Sequence, residues 1–284
     1  ALILLSLPDP PTIRILERSP TPLLHNQGAG IVAGNETQEF FDKVVQPGRE
    51  IAVTSKQRLY LDRSGKVMDG SVEERQQRMT SWDLLYHLLR WRVEGLQSEY
   101  VEGLDADQRP QATYENGCTV TALEEAGDMV KLTWSHKDHG EQTSEADLVI
   151  AADGASSTIR RLIKPDVERK YVGYVAWRGT VPEPGQRLFN WVWYCNYEAG
   201  SADLEELMMD IHGKRHAITL PVGSMNPKVW SKQKAYASQV LPPQYAETIT
   251  KTEQPFIQAV TDNISPQNSF FGGKVLLVGD ALAG

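Results

Sequence analysis

The chain of 284 residues is long enough for two ordinary domains or one large one. Its 40% hydrophobic content, with 7 Trp, 10 Tyr and 6 Phe, can fill a sizeable core, while a formal charge of -8 without a Lys/Arg block argues against a nucleic-acid or anionic-membrane surface. Cys118 and Cys195 stand 77 positions apart with no C-x-x-C, so the pattern points to neither a disulfide framework nor a zinc site and suits reduced thiols in a cytoplasmic protein.

The opening ALILLSL reads as the tail of a buried helix: it has no basic flank and runs into PDPP. No stretch approaches the ~20 apolar residues of a membrane span. The chain does not begin with Met, which leads to the expectation of sequence upstream, and a targeting address there stays open. In IRILERS, Ile13, Ile15 and Leu16 form a short apolar strand that ends in Glu17. NETQEFFDKVVQ (35–46) predicts a helix capped by Asn35, with Gln38 in the reciprocal position and Phe40, Phe41, Val44 and Val45 on one face. Short strands are expected around IAVT, RLYL and KVMDG. TSWDLLYHLLRWRV (80–93) is the strongest helix, with T-x-x-D at its start and Leu84, Leu85, Leu88 and Leu89 in one stripe.

SEYVEG (98–103) reads as a strand, and CTVTALEE and MVKLTWS alternate around EAGD as a hairpin does. ADLVIAADG (146–154) is a continuous apolar run closed by small residues and an acid, the pattern of a parallel strand buried on both faces. SSTIRRLI follows as a short helix. From Tyr171 onward, YVGYVAWRGTV, LFNWVWYCNY and RHAITLPV are aromatic and rich in β-formers, predicting an antiparallel sheet with little helix between its strands. PPQYAETITK and PFIQAVTD return to helical patterning, and GGKVLLVGDALAG supplies a second buried strand ending in Gly-Asp.

GAGIVAG (28–34) fits G-x-G-x-x-A through Gly28, Gly30 and Ala33, and Glu50 lies twenty positions after Gly30. A dinucleotide fingerprint, however, must turn a strand directly into a helix, so that the helix N-terminus points at the pyrophosphate. Gly28 lies eleven positions beyond Glu17 across a polar, Pro-containing stretch, and Glu50 precedes the apolar IAV segment instead of closing a strand. The motif is a decoy. Glu17, at a strand tip, is the better ribose acid, and its glycine turn would lie ~20 residues earlier, before residue 1. A solvated strand-end carboxylate is the alternative for Glu17.

Four segments in order carry a resemblance. DLVIAADGASSTIRR places Asp153, Gly154, Ser157 and Arg160, and GKVLLVGDA places Gly279, Asp280 and Ala281, as in the Asp-Gly and Gly-Asp motifs of the single-component FAD-dependent aromatic hydroxylases. ILERS is similar to their ribose-binding strand end, and YVGYVAWRGTVPE to the entry of their substrate domain. Nearly the whole chain is covered, with the nearest likeness to the 2,6-dihydroxypyridine- and salicylate-hydroxylase-like members. The resemblance implies an α/β fold: a Rossmann-like FAD-binding domain from 1–168 and 255–284, with an inserted β-rich substrate domain at 169–254. It also implies a missing first strand and glycine turn and a missing segment after Gly-Asp, so that these 284 residues would hold FAD poorly.

By the same resemblance, Asp280 and Gly279 hold the ribityl chain, Asp153 and Gly154 serve the FAD diphosphate region and nicotinamide-nucleotide docking, and Glu17 with Arg18 meets the adenosine ribose. Gly28, Ala29 and Gly30 approach the cofactor by their backbone, Arg78 reaches its sugar or phosphate, and the Val120 backbone meets the adenine. Asn26 and Gln27 stand where some relatives carry arginines. Read as residues alone, Asp153 and Asp280 could equally cap the helices that follow them. The implied reaction is hydroxylation of a phenol or hydroxy-N-heteroaromatic, using NADH or NADPH and O2 through a flavin C4a-hydroperoxide. Tyr171, Tyr174, Trp177, Trp191, Trp193 and Tyr194 offer a wall for a flat substrate, with core packing as the alternative. Arg178 would meet a substrate carboxylate or phenolate, or else pair on the sheet. No catalytic base and no metal are assigned; no nucleic acid is expected, and a homodimer is compatible. The alternatives are a flavin epoxidase or oxidase on the same scaffold, and a non-catalytic fragment serving as a binding module.

Overall fold

The computed structural model describes residues 1–21, 30–104, 112–183 and 187–284. They form two compact units: one holds 1–11, 24–111 and 173–259, the other 12–23, 112–172 and 260–284, in each case as far as described. The contacts therefore group the segment after Gly30 with the aromatic strands, whereas the sequence boundaries had joined it to the acid-tipped strands.

The chain opens with α1 (Leu2–Leu5) and β1 (Arg14–Glu17). α1 buries only Leu2 and leaves Ile3 62% exposed, so ALILLSL is not the buried helix expected; a single turn has one side to bury. β2 (Gly30–Ala33) leads into α2 (Asn35–Phe40), which passes into a π-turn over Phe41–Val45 that buries Phe41 and Val45 together. Gly34, and not Asn35, takes the cap position, and the Gln38 amide donates back to the Ala33 carbonyl at 2.9 Å. β3 (Val53–Arg58) and β4 (Glu73–Ser81) complete an antiparallel sheet in the order β2-β4-β3. RLYL and KVMDG contribute only a Leu61–Val67 bridge to it. α3 (Trp82–Glu94) is capped by Ser81, whose hydroxyl accepts from the Leu84 amide at 3.2 Å, and buries Leu85, Leu88 and Trp91. SEYVEG is a 3-10 turn over Glu99–Val101 and not a strand: Val101 is buried, and Tyr100 stacks on His87 of α3 at 4.8 Å.

β5 (Thr113–Asn116) runs parallel to β1 with Glu17 opposite Asn116. β6 (Cys118–Ala126) and β7 (Met129–His136) form the expected hairpin, which β8 (Gly140–Ala146) extends to three strands. β9 (Val149–Ala151) and α4 (Thr158–Ile163) follow. Val149 and Ala151 join Cys118, Val130, Leu132, Trp134, Ile159, Val275 and Leu277 in the core of the second unit, against which Leu16 of β1 also packs.

β10 (Lys170–Glu183) and β11 (Arg187–Asn196) are the long antiparallel pair. α5 (Ala202–Leu207), β12 (Thr219–Leu220), α6 (Pro227–Val240) and α7 (Pro243–Lys251) come next. β13 (Phe256–Asp262), β14 (Ser269–Phe270) and β15 (Val275–Leu277) close the chain. PFIQAVTD is thus a strand and not a helix: Ile257 and Ala259 are buried while Phe256 and Gln258 between them are half-exposed, which is a period of two. The four-stranded sheet has the order β11-β10-β13-β12. One face lies on α6, where Trp177 stacks on Trp230 at 5.5 Å, Trp191 on Trp230 at 6.4 Å and Trp193 on Tyr236 at 5.7 Å. Among the described residues, no helix is long and apolar enough to cross a membrane.

Candidate cofactor site

β9 and β15 pair in parallel, Val149 opposite Val275 and Ala151 opposite Leu277, and the Val278 amide extends the ladder to the Ala151 carbonyl at 3.0 Å. Parallel strands in register end together. The Asp153–Gly154 turn, two residues past β9, and the Gly279–Asp280 turn, two past β15, therefore open from the same edge of the sheet. That carboxyl edge is where open α/β sheets take their ligands. Gly154 (φ 76°) and Gly279 (φ 57°) occupy the left-handed region, and a Cβ at either would meet no atom within 4 Å. Backbone conformation alone selects glycine there, and the space beside both turns is open.

The two carboxylates sit in different surroundings. That of Asp153 accepts hydrogen bonds from the Ser157 hydroxyl, from the Thr158 amide at 2.7 Å and from the Ile159 amide at 3.1 Å. Ser157 in turn accepts from the Arg160 amide at 2.9 Å, so together they cap α4. Asp280, in a 3-10 turn over Gly279–Ala281, is exposed, and among the described residues its carboxylate has no hydrogen-bond partner.

Arg160 binds the two turns to each other. It is 2% exposed, and its guanidinium donates to the carbonyls of Ala155 and Ala281 at 2.6 Å each and of Asp280 at 3.3 Å. Burial lowers its pKa, opposed by the charge of Asp153. Arg169 stands beside this group. It donates to the Ser156 hydroxyl at 3.0 Å, and its buried Nε has no partner. Burial first, then the charge of Arg160, lowers its pKa, while Asp280 raises it. The Asp-Gly motif flags Arg160, but nothing in its spacing points to Arg169.

Elsewhere in this unit, the Glu17 carboxylate accepts from the Ser19 amide at 2.6 Å, at the carboxyl end of β1. Arg18 is exposed, and Val120 is half-buried in β6 opposite Trp134. Gly30 and Arg78 belong to the other unit, on β2 and β4. There Arg78 pairs across the sheet with Ala33 and Thr54, and its buried Nε has no partner. Gly28 and Ala29 lie outside the described residues.

The aromatic wall divides between the two faces of its sheet. Trp177, Trp191 and Trp193 face α6, because odd-numbered positions of β10 and β11 point that way; Trp177 and Trp191 are core and Trp193 is half-buried. Tyr174 and Tyr194 occupy the opposite face, edge to face at 5.6 Å. Arg178 and Asn190 share it, and Asn190 carried no signal in the sequence.

A profile described as FAD binding domain-like matches residues 182–262. The chain is 27% identical over 307 residues to 2,6-dihydroxypyridine 3-monooxygenase of Paenarthrobacter nicotinovorans, covering 95% of this chain and 70% of that protein. Among solved structures it resembles 2,6-dihydroxypyridine-3-hydroxylase from Arthrobacter nicotinovorans, with 25% identity, a TM-score of 0.74 and coverage of 95% of this chain and 71% of that one. The p-nitrophenol 4-monooxygenase of Pseudomonas putida, at 14% identity, shares the fold with a TM-score of 0.62 over 96% of this chain and 67% of that one.

Proposed function

We propose, from the premise that this chain is homologous to 2,6-dihydroxypyridine 3-monooxygenase and has the fold of the FAD-dependent aromatic hydroxylases, that it hydroxylates a phenolic or hydroxy-N-heteroaromatic compound with NADH or NADPH and O2. The observation that carries this is the pair of acid–glycine turns opening side by side from the parallel β9–β15 edge.

The residues fit FAD. Two open glycine turns let a cofactor backbone come close, and Asp280 offers to sugar or ribityl hydroxyls a carboxylate that is not hydrogen-bonded within the described residues, though its charge acts on Arg169. Asp153 already engages α4, so its turn meets the cofactor through the backbone of Asp153 and Gly154, in the diphosphate region. Glu17 with Arg18 takes the adenosine ribose, and the Val120 backbone the adenine. Gly28, Ala29, Gly30 and Arg78 remain candidate cofactor residues by the resemblance alone. In this reading, 1–168 and 255–284 form the FAD-binding domain and 169–254 the substrate domain, within a cytoplasmic enzyme compatible with a homodimer.

When bound, the flavin supplies reduction by the nicotinamide nucleotide and transfer of one oxygen atom from O2 to the ring. The chain's own task is to bind, orient and exclude water. Arg160 holds the two turns at a fixed separation, and the sheet carrying Tyr174 and Tyr194 presents a flat surface to a ring.

The test supplies FAD to the protein and follows NADH and NADPH oxidation with and without 2,6-dihydroxypyridine. Oxidation stimulated by the aromatic, with a product one oxygen heavier by mass spectrometry, is the expected result. Oxidation that yields only hydrogen peroxide overturns it.

A further inference from the structure

The face of the four-stranded sheet opposite α6 carries polar side chains that the fold leaves unsatisfied. Tyr174, Arg178, Leu188, Asn190, Val192 and Tyr194 lie on it. Leu188, Val192 and Tyr194 are 62%, 43% and 60% exposed, so this face is open around them. Arg178 stands opposite Val192 and Asn190 opposite Thr180, which makes Arg178 and Asn190 diagonal neighbours, ~7–8 Å apart at their Cα atoms.

Both side chains are half-buried, and each hides a polar atom without a partner: Nε of Arg178, a donor, and Oδ1 of Asn190, an acceptor. Folded proteins rarely leave such atoms unpaired, and those they do leave call for an explanation in ligand or function. The remainder of the Arg178 head is held only weakly, by a 3.4 Å hydrogen bond to Gln258 Oε1 and by the Phe256 ring 5.7 Å away. Asn190 is steadied from the side by β2. A Cβ at Gly30 would come within 3.1 Å of its Cβ and 3.2 Å of its Nδ2, so only glycine lets that strand pass.

We infer that Arg178 and Asn190 together read one edge of the aromatic substrate, Arg178 donating to an oxygen acceptor and Asn190 accepting from an adjacent N–H or O–H. This rests on the reading of the chain as an aromatic hydroxylase. A phenol carries its O–H donor and its acceptor lone pairs on one oxygen, so it cannot align with both side chains at adjacent positions and pairs well with only one of them. A 2-pyridone lactam presents carbonyl and N–H side by side, and an ortho-hydroxy carboxylate presents an oxyanion and O–H, so either satisfies both. Tyr174 and Tyr194 supply the apolar surface beside this edge. A site built around two hydrogen bonds rejects a ligand that offers one, because the other protein atom stays desolvated and unpaired.

Equilibrium binding of 2-hydroxypyridine, salicylate and phenol to the full chain, with and without FAD, is read from quenching of tryptophan fluorescence. Tighter binding of 2-hydroxypyridine or salicylate than of phenol, by about tenfold or more, is expected, and whichever probe shows it identifies the edge. Asn190→Leu and Arg178→Gln should each bring that ratio to within about twofold of unity while phenol affinity changes little. Arg178→Lys, which keeps the charge but not the fork, should retain part of it. A wild-type ratio near one, a ratio untouched in both Asn190→Leu and Arg178→Gln, or no binding of any probe overturns the inference. Discrimination without substrate-stimulated NAD(P)H oxidation would instead count against the proposed reaction, and oxidation without discrimination against this inference alone.

Discussion

Arg160 is buried, and its hydrogen bonds go to backbone carbonyls on two separate turns. Both terminal nitrogens of this buried guanidinium are engaged, although its Nε has no partner, and they hold together turns that lie about 120 positions apart in sequence. Arg160→Ala would leave the Ala155 and Ala281 carbonyls without their donor. Hydrogen bonds to a charged group contribute about 1.5–3 kcal/mol each at most, so a loss near 2–3 kcal/mol in urea unfolding is expected. Flavin affinity should fall in the same variant, since the glycine turns are no longer held together. Arg160→Lys restores the charge but reaches fewer carbonyls, and should recover less than half of either loss. Equal stability of all three proteins would show that the turns are set by their strands alone. Asp153 and Asp280 look equivalent as motif residues, yet one caps a helix and the other is exposed, with its charge beside Arg169. The difference follows from the segments after them, since a Ser and a helix start follow Asp153 within six positions whereas Ala-Leu-Ala-Gly follows Asp280.

The packing of the sheet on α6 is the largest aromatic contact among the described elements. Trp230 stacks on both Trp177 and Trp191 and donates its indole N–H to the Thr252 carbonyl at 3.2 Å, while Trp191 donates to the Thr252 hydroxyl at 2.8 Å. Trp230→Ala should therefore cost about 3–5 kcal/mol by the large-to-small cavity rule, measured as a shifted denaturant midpoint with unchanged slope. Trp230→Phe should cost clearly less, and a loss under 1 kcal/mol for the alanine variant would mean that α6 is not part of this core. α6 itself escaped the sequence reading although Asn226 and Pro227 mark its start. Its apolar positions Val229, Trp230, Gln233 and Ala237 include a glutamine and an alanine, which weakens the stripe. β4 escaped for a related reason: EERQQRMTS has no buried residue, and besides its backbone ladder it is tied to β3 by polar side chains, such as Gln57 donating to Glu74 at 2.7 Å. By contrast, the β6–β7 hairpin and α3 were legible because a turn or a cap coincides with a clean period. The β9 and β15 strands were legible as continuous apolar runs, but β9 is buried on one face and not on both as expected: Val149 and Ala151 join the core while Ile150 between them is 42% exposed. β13 was misread because PFIQAVTD has apolar residues at both two- and four-residue spacings, and only its pairing with β12 decides.

Across the whole molecule, the residues proposed for the cofactor and those proposed for the ring fall largely into different compact units. Glu17, Arg18, Val120, Asp153, Gly154, Gly279 and Asp280 belong to one, and Arg178 and Asn190 to the other. If each unit keeps its own core, the two binding tasks should be separable by mutation. Asp280→Ala removes an exposed carboxylate proposed to accept hydrogen bonds from hydroxyls, a loss of about 1.5–3 kcal/mol. Flavin affinity should then fall roughly ten- to a hundredfold, while binding of 2-hydroxypyridine measured without flavin stays within about twofold of the parent. Arg178→Gln should do the reverse, losing ring discrimination while retaining flavin by absorbance at equilibrium dialysis. Because Asp280 is exposed and Arg178 half-buried on an open face, neither change digs into a core, so both variants should unfold within about 1 kcal/mol of the parent. Loss of both ligands in both variants would mean that the two sets of residues form one indivisible site.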